Sequence, residues 1–359
     1  MDQSLRQNFI VERDNLANSR VVDAARQTPA PGQVLLKVDR FALTANNITY
    51  GVAGDMIGYW QFFPAPDGWG RIPVWGIGTV AESAHDEVEI GTRFYGYFPM
   101  SSELLVEPSR VTPRGFVDAS AHRAELPGAY NHYSNMAEEN GFDPAFDNHA
   151  MIYRPLFTTS FVLDDFLADN GSFGARTIVL GSASSKTAFG LAFMLQRRGG
   201  SKVVGLTSKG NVEFVESLNL YDLVLSYDDV QQLPQEPSVY VDMAGNPTVL
   251  SEVHHHLKDD LTYSCGVGIT HWETRGDARP ADLPGATPAM FFAPSQIEKR
   301  SQELGAQQYQ AQIGEATQAF FGAVDEWVQI EELEFEALQG VYTNMLSSIA
   351  PNKGIVFKT

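Results

Sequence analysis

Residues 176–207 read RTIVLGSASSKTAFGLAFMLQRRGGSKVVGLT, and the hydrophobic period changes twice within them. Thr177-Ile178-Val179-Leu180 is a short β-branched apolar run, the pattern of a strand buried on both faces. Gly181 to Ser185 is small and polar, a composition that lets backbone N–H groups approach an anion. Thr187 to Leu195 is mostly apolar, as a helix pressed on a sheet must be, and Gly199-Gly200 ends it. Lys202-Val203-Val204-Gly205-Leu206 is the next strand. A parallel strand–helix–strand unit of this kind puts a helix N-terminus where phosphate can bind.

The rest of the chain sets the bounds. At roughly 150 residues per domain, 359 residues predict two domains. Hydrophobic residues make up 43% of the chain, enough for real cores, but no apolar run reaches the roughly 18 residues that span a bilayer. The opening MDQSLRQNFIVERDN is too polar for a secretory signal or a transit peptide. The single cysteine, Cys265, excludes an internal disulfide framework and fits a reducing compartment. A formal charge of −19 repels nucleic acid and anionic lipid. The expectation is a cytoplasmic protein acting on a small molecule, with no nucleic-acid or membrane partner.

Upstream, Gly32 to Asp39 alternates as a strand and leads into Arg40 to Asn47, which ends polar. Tyr59, Trp60, Phe62, Phe63, Trp69 and Trp75 crowd a stretch of prolines and glycines. They suit either a flat apolar ligand or an aromatic core. Short strands at Thr79–Glu82, Thr92–Tyr97 and Glu103–Val106 suggest a small barrel or sandwich. Residues 112–150, rich in Pro, Gly, Asn and acid, form a long connection containing Tyr130-Asn131-His132-Tyr133. It braces the domain junction or forms a lid, the brace being preferred; as a lid it offers His132 and Tyr133 as proton donors. Tyr153 to Asp169 is helical, and Asn211 to Leu218 is a capped amphipathic helix. Strands at Leu223–Tyr227, Val239–Asp242 and Leu261–Ser264, separated by helix-length segments, imply a parallel doubly wound sheet. A helix at Gln296–Leu304, an acidic helical stretch from Gly314 to Leu338 and a strand at Gly354–Phe357 complete the reading.

This order resembles the medium-chain dehydrogenase/reductase superfamily, in its zinc-independent quinone or enone reductase branch. Pro31 to Val38 (PGQVLLKV) looks like the family's PGEVLVRV strand, and Val88 to Gly96 (VEIGTRFYG) like its VKVGDRVYG segment. Glu103 to Val106 resembles AEYVVV, Leu218 to Tyr227 (LNLYDLVLSY) resembles LGADEVIDY, Val241 to Gly245 resembles VDxVGG, and Lys353 to Val356 resembles GKIV. The resemblance implies an α/β protein, a Rossmann doubly wound parallel sheet plus a GroES-like β-barrel domain. Residues 1–152 would be the barrel, or substrate, domain with an insertion at about 112–150; residues 153–285 the Rossmann domain; and residues 286–359 a C-terminal return to the substrate domain. It also implies a homodimer built by edge pairing of Rossmann sheets.

The phosphate turn departs from the family. Where relatives read AxxGGVG, the glycine, glycine, valine and glycine positions are Ser185, Lys186, Thr187 and Ala188. Hydroxyls of Ser184, Ser185 and Thr187 and the charge of Lys186 are the candidate replacements for backbone donors; the alternative is a solvated Lys186. GSASSKT is also a near miss to a Walker A loop, with Ser185 in place of the required glycine, which keeps a nucleotide triphosphatase as a remote alternative. An acid at the end of the second strand would bind the ribose 2′-OH of NAD. Here that strand ends Gly205-Leu206-Thr207-Ser208-Lys209 without one, so Ser208 and Lys209 become candidates for a 2′-phosphate. The family's lysine for that phosphate falls on Asn211, and Tyr227 matches a tyrosine some relatives turn toward it. The expected cofactor is NADP(H), NADPH over NADH.

Zinc is not expected. The places where zinc-bearing relatives carry ligands hold Ala42 to Asn47 and Val74 to Gly78. His254-His255-His256 lies in a helix-like segment, where adjacent side chains diverge, and reads as an exposed polar run. The chemistry the resemblance implies is hydride transfer to a quinone, enone or related carbonyl. Thr44 falls where relatives often have asparagine, Asn47 where they have aspartate, and Tyr50 one residue past a tyrosine; these are the candidate substrate-oxygen donors. For Thr44 and Asn47 the alternative is tying down a loop through backbone bonds. Thr159 matches a threonine near the nicotinamide, and Gly266 and Gly268 follow the fifth strand, where the family's backbone faces the nicotinamide amide. A non-catalytic nucleotide-binding sensor or interaction protein is the alternative function.

Overall fold

The computed structural model describes residues 6–56, 58–267, 283–347 and 350–359. The chain opens with β1 (Arg6–Glu12), β2 (Asn15–Ala24), β3 (Val34–Leu43) and α1 (Ala45–Val52). Next come β4 (Trp69–Gly70), β5 (Pro73–Ser83), β6 (Arg93–Pro99), β7 (Glu103–Val106), β8 (Pro108–Thr112), β9 (Gly115–Asp118) and β10 (His132–Asn135). The long helix α2 (Asp147–Asp169) precedes β11 (Thr177–Gly181), α3 (Lys186–Arg198), β12 (Lys202–Thr207), α4 (Val212–Ser217) and β13 (Leu223–Ser226). Then follow β14 (Ser238–Asp242), α5 (Pro247–Leu257), β15 (Leu261–Val267), β16 (Ala289–Phe291), α6 (Ala293–Leu304) and α7 (Ala306–Val324). The last elements are β17 (Gln329–Glu334), α8 (Leu338–Met345) and β18 (Lys353–Lys358). No helix among the described residues is long and apolar enough to cross a membrane.

Two compact units form, one from residues up to 152 together with 329–359, the other from residues 153–328. In the first, β3 is central. Its apolar residues Val34, Leu35, Leu36, Val38 and Phe41 are fully buried, and it pairs antiparallel with β5, β7 and β18. The sheet runs β17-β18-β3-β5-β6-β10-β9-β8, with β7 off the path on β3. The first thirty residues, barely legible in sequence, contribute the β1–β2 hairpin, which continues through β4 as a separate three-stranded sheet. The acidic stretch expected to stay helical to Leu338 instead breaks after Val324, and residues 329–334 form β17, parallel to β18. Strand pairing overrides helix propensity there, and Lys353 and Lys358 on β18 answer Glu331 and Glu332 on β17.

The 112–150 insertion is built into this unit. Its β10 pairs with β6 and with β9. Arg123 is 0% exposed and donates to Asp118 Oδ2 (2.7 Å), Asn131 Oδ1 (3.0 Å), Tyr133 Oη (3.0 Å) and the Tyr130 carbonyl (2.7 Å). Four of the five guanidinium N–H groups find acceptors within the insertion, and the carboxylate among them is what lets a buried charge be tolerated.

The second unit holds a six-stranded, all-parallel sheet in the order β13-β12-β11-β14-β15-β16, the Rossmann order with its reversal between β11 and β14. Ile178, Val179 and Leu180 at its centre are 0% exposed, as a strand covered on both faces requires. Residues 286–328, expected to return to the substrate domain, cluster with this unit. They supply the sixth strand, and α6 and α7 are tied to α2 through Asp165, which accepts from Gln296 Nε2 (3.0 Å), Arg300 Nε (3.1 Å) and Tyr309 Oη (3.2 Å).

Candidate functional site

The turn between β11 and α3 lies at the carboxyl end of the central strand, beside the point where the strand order reverses. Gly181 ends β11; a Cβ there would sit 2.7 Å from Tyr240 Oη, so no larger residue fits. Ser182 takes the left-handed conformation (φ 54) and starts a tight turn closed by the Ser185 N–H on the Ser182 carbonyl at 2.8 Å. Ser185 is the N-cap of α3, its hydroxyl accepting from the Ala188 N–H at 3.3 Å.

Two tyrosines from outside the motif hold this turn. The Ser182 N–H donates to Tyr227 Oη (3.2 Å), and Tyr221 Oη donates to the Ala183 carbonyl (2.9 Å). The Ala183 N–H is taken by the Leu206 carbonyl at 2.9 Å. A Cβ on Gly205 would stand 2.9 Å from Ala183 Cβ and 3.0 Å from the Tyr221 ring, so glycine at this strand position is what admits Tyr221. The turn therefore gets its shape in part from phenol hydrogen bonds. The N–H groups of Ser182, Ala183, Ser185 and Ala188 are spent inside the protein.

Beyond the strand ends, polar side chains remain. Ser184 Oγ accepts from Asn211 Nδ2 at 3.0 Å and lies 3.4 Å from Thr207 Oγ1. Asn211, expected to cap the following helix, makes no side-chain cap and braces Ser184 instead. Lys186 and Thr187 open α3, where the first N–H groups of a helix have no intrahelical acceptor. Lys186 is half-buried, and burial pushes its ammonium down to about 8. Ser208 and Lys209 are exposed. Burial raises Tyr227 above the usual phenol range, so it keeps a proton to donate while its oxygen accepts from Ser182. Asp242, at the end of β14, is also raised by burial although it accepts the Ala244 and Gly245 N–H groups at 2.9 Å.

The remaining candidates are placed as follows. Thr159 lies inside α2, its hydroxyl on the Pro155 carbonyl at 3.3 Å, and not in a turn. Gly266 is on β15, opposite Asp242 on one side and Met290 on the other. Gly268 falls outside the described residues. In the other unit, Thr44 is the N-cap of α1, and Asn47 Oδ1 accepts from the Thr44 N–H (2.6 Å) and hydroxyl (3.0 Å). Asn47 Nδ2 donates to the Pro73 carbonyl at 2.8 Å, so both ends of this buried amide are engaged. Tyr50, one turn on, stacks on Tyr59 with ring centroids 4.5 Å apart. His254 is not part of an exposed run: it is 0% exposed, with Nδ1 at 2.9 Å from the Pro284 carbonyl and Nε2 at 3.0 Å from Ser264 Oγ. Helical periodicity turns it inward while His255 faces outward and His256 is half-buried.

Comparison with curated protein sequences gives no match. A family model described as "Protein of unknown function (DUF2855)" matches residues 41–350. Among solved structures, CurA from Vibrio vulnificus in complex with NADPH is similar at TM-score 0.62 and 14% identity, over 98% of this chain and 99% of that one. TarJ from S. aureus in complex with NADPH follows at TM-score 0.56 and 11% identity, covering 99% of each chain. The CurK enoyl reductase gives TM-score 0.54 and 12% identity, again over 99% of each. Similarity over whole chains at such identity shows the fold alone, a Rossmann sheet in one unit and a mainly antiparallel sheet in the other.

Proposed function

The chain belongs to the DUF2855 family of proteins of unknown function, and from that premise we propose that it is an NADPH-dependent, metal-free oxidoreductase whose hydride acceptor is a quinone, an enone or a related activated carbonyl. One observation carries the reading. A lysine and hydroxyls gather at the α3 N-terminus, at the reversal point of a Rossmann sheet whose second strand ends without a carboxylate. The NADPH bound by the similar CurA and TarJ structures supports the same cofactor.

The donor set suits a phosphorylated dinucleotide. Ser184, Lys186 and Thr187 would hold the pyrophosphate with side chains, since most of the turn's N–H groups are engaged elsewhere. Ser185 serves this group as the cap that keeps α3 aimed at it. Ser208, Lys209 and the Tyr227 hydroxyl would take the 2′-phosphate. Thr159, Gly266 and Gly268 are assigned to the nicotinamide end. NADPH, once bound, supplies a hydride, and the chemistry belongs to the cofactor. The acceptor's carbonyl oxygen gains negative charge as hydride arrives, and phenol or hydroxyl donors stabilise it. Tyr50 is assigned that task, and Thr44 and Asn47 position it by fixing the start of α1.

The test is direct. NADPH should quench tryptophan fluorescence more strongly than NADH, and a panel of quinones and enones should oxidise it in the protein's presence. No response to either nucleotide ends the proposal. Binding without turnover across the panel favours a non-catalytic nucleotide sensor, which the heavily committed turn also supports.

A further inference from the structure

The unit built around β3 contains a box of aromatic rings in which two buried polar groups are left without a hydrogen-bond partner. Tyr50 from α1, Tyr59, Trp75 from β5, Tyr97 from β6 and Tyr130 from the insertion pack as one set. Centroids lie 4.5 Å apart for Tyr50–Tyr59, 5.1 Å for Trp75–Tyr97 and 4.8 Å for Tyr97–Tyr130. The Tyr59 and Tyr130 hydroxyls share one hydrogen bond at 3.4 Å. Tyr97 is 0% exposed, and its hydroxyl has no hydrogen-bond partner; neither has the indole N–H of Trp75. That N–H lies close enough to the Tyr50 oxygen to favour its charged form without reaching hydrogen-bond geometry. Burial raises Tyr50, Tyr59 and Tyr97 well above the usual phenol range, so all three remain protonated donors. Arg123, a cation whose charge reaches Tyr97, is committed to Asp118.

Unpaired buried donors cost stability, and native proteins rarely keep one without a reason. Two of them on packed neighbouring rings mark a position for an acceptor atom. A carboxylate would enter this box without a counter-cation, at a large desolvation cost, whereas a neutral carbonyl would not. Aromatic walls add stacking for a flat molecule. We propose that Tyr97 Oη and Trp75 Nε1 bind the carbonyl oxygen of a flat, uncharged conjugated carbonyl compound, with Tyr50 as third donor. Identifying that oxygen with the hydride acceptor rests on the reductase reading; the binding itself does not. Tyr97 Oη is closed off in this structure, and binding requires the half-buried Tyr130 ring, packed 4.8 Å from the Tyr97 ring, to turn aside when the ligand enters.

Full-length protein without nucleotide is titrated by calorimetry with a naphthoquinone, with naphthalene and with naphthoate. The naphthoquinone should bind at least about tenfold tighter than either of the others. Tyr97→Phe and Trp75→Phe should each weaken it by about tenfold and leave naphthalene unchanged. Tyr97→Phe should at the same time raise the melting temperature, because it removes an unpaired buried hydroxyl; a purely structural tyrosine would not combine gain of stability with loss of binding. Absence of naphthoquinone binding, a preference for naphthalene, or unchanged binding in Tyr97→Phe overturns the proposal. Naphthoquinone binding that depends on Tyr97, in a protein that ignores NADPH, upholds the pocket and ends the reductase reading. Oxidation of NADPH by the naphthoquinone at wild-type rate and KM in Tyr97→Phe does the reverse.

Discussion

Lys186 opens α3 beside the β11–α3 turn. Its ammonium, ordinarily near 10.5, titrates at about 8 because burial penalises the charge. Two opposite pH trends follow. NADPH affinity should fall as pH rises through about 8, since the ammonium that meets phosphate is lost. The residue's own effect on folding runs the other way. The unfolded chain binds more protons between about 8 and 10.5, so the penalty is full below that window and relieved as pH rises across it. Lys186→Ala should weaken NADPH by about tenfold near neutrality and flatten both trends, measured by fluorescence titration and thermal melts in one pH series. Unchanged affinity would show that the half-buried Lys186 ammonium does not meet phosphate. Asn47 is the contrasting case. With Oδ1 on Thr44 and Nδ2 on Pro73, Asn47→Ala should cost about 1–3 kcal/mol of stability, read from denaturant unfolding. A variant that melts like wild type but fails in turnover would show Asn47 acting on substrate.

At the scale of the element, the β11–α3 turn shows one shape reached by different chemistry. A glycine-rich turn approaches its ligand through bare backbone. Glycine is kept at Gly181, against Tyr240, and at Gly205 on the neighbouring β12, against Ala183 and Tyr221, while the remaining turn positions carry side chains. Its donors are consequently hydroxyls and an ammonium. The insertion makes the same point in the other unit. Sequence suggested a brace or a lid, and the Arg123 network together with the β6–β10 pairing makes it part of the sheet. Arg123→Ala would leave Asp118, 1% exposed at its side chain, as an uncompensated buried charge. The expected loss is about 3–5 kcal/mol, visible as a lower melting temperature by calorimetry; a loss below 1 kcal/mol would mean water reaches Asp118. His132 and Tyr133 divide as strand alternation dictates: His132 faces solvent, while Tyr133 is buried, raised to about 12, and donates to the Tyr97 carbonyl at 2.5 Å.

At the scale of the whole molecule, the unit built around β3 is discontinuous. Its last strand, β18, arrives some three hundred residues after β3 and lies between β3 and β17. Val356 and Phe357 on it are 0% exposed, and Phe357 stacks on Phe41 at 5.6 Å. Truncation after Ala350 removes both side chains and two ladders at once. The expectation is loss of hydrogen-exchange protection along β3 while β11 in the other unit stays protected. Retained protection at Leu35 to Phe41 would show that β5 and β7 alone hold the strand.

The amino-acid sequence by itself determined the layered architecture. Runs such as Thr177–Leu180 and Lys202–Leu206, with glycine punctuation and helix-length spacers, have one economical solution, a parallel sheet with helices on both faces. The absence of an acid after Thr207 and the loss of glycines at Ser185 to Ala188 were equally legible, because each is a property of adjacent residues. What only the tertiary structure decided are relations between distant residues. Tyr221 and Tyr227 gripping Ser182 and Ala183, Asn211 leaving its helix for Ser184, residues 329–334 extending as a strand, and Tyr97 and Trp75 left without acceptors all depend on residues brought together from distant positions in the chain. Periodicity records which face of an element is buried; it carries no information about which polar group waits there.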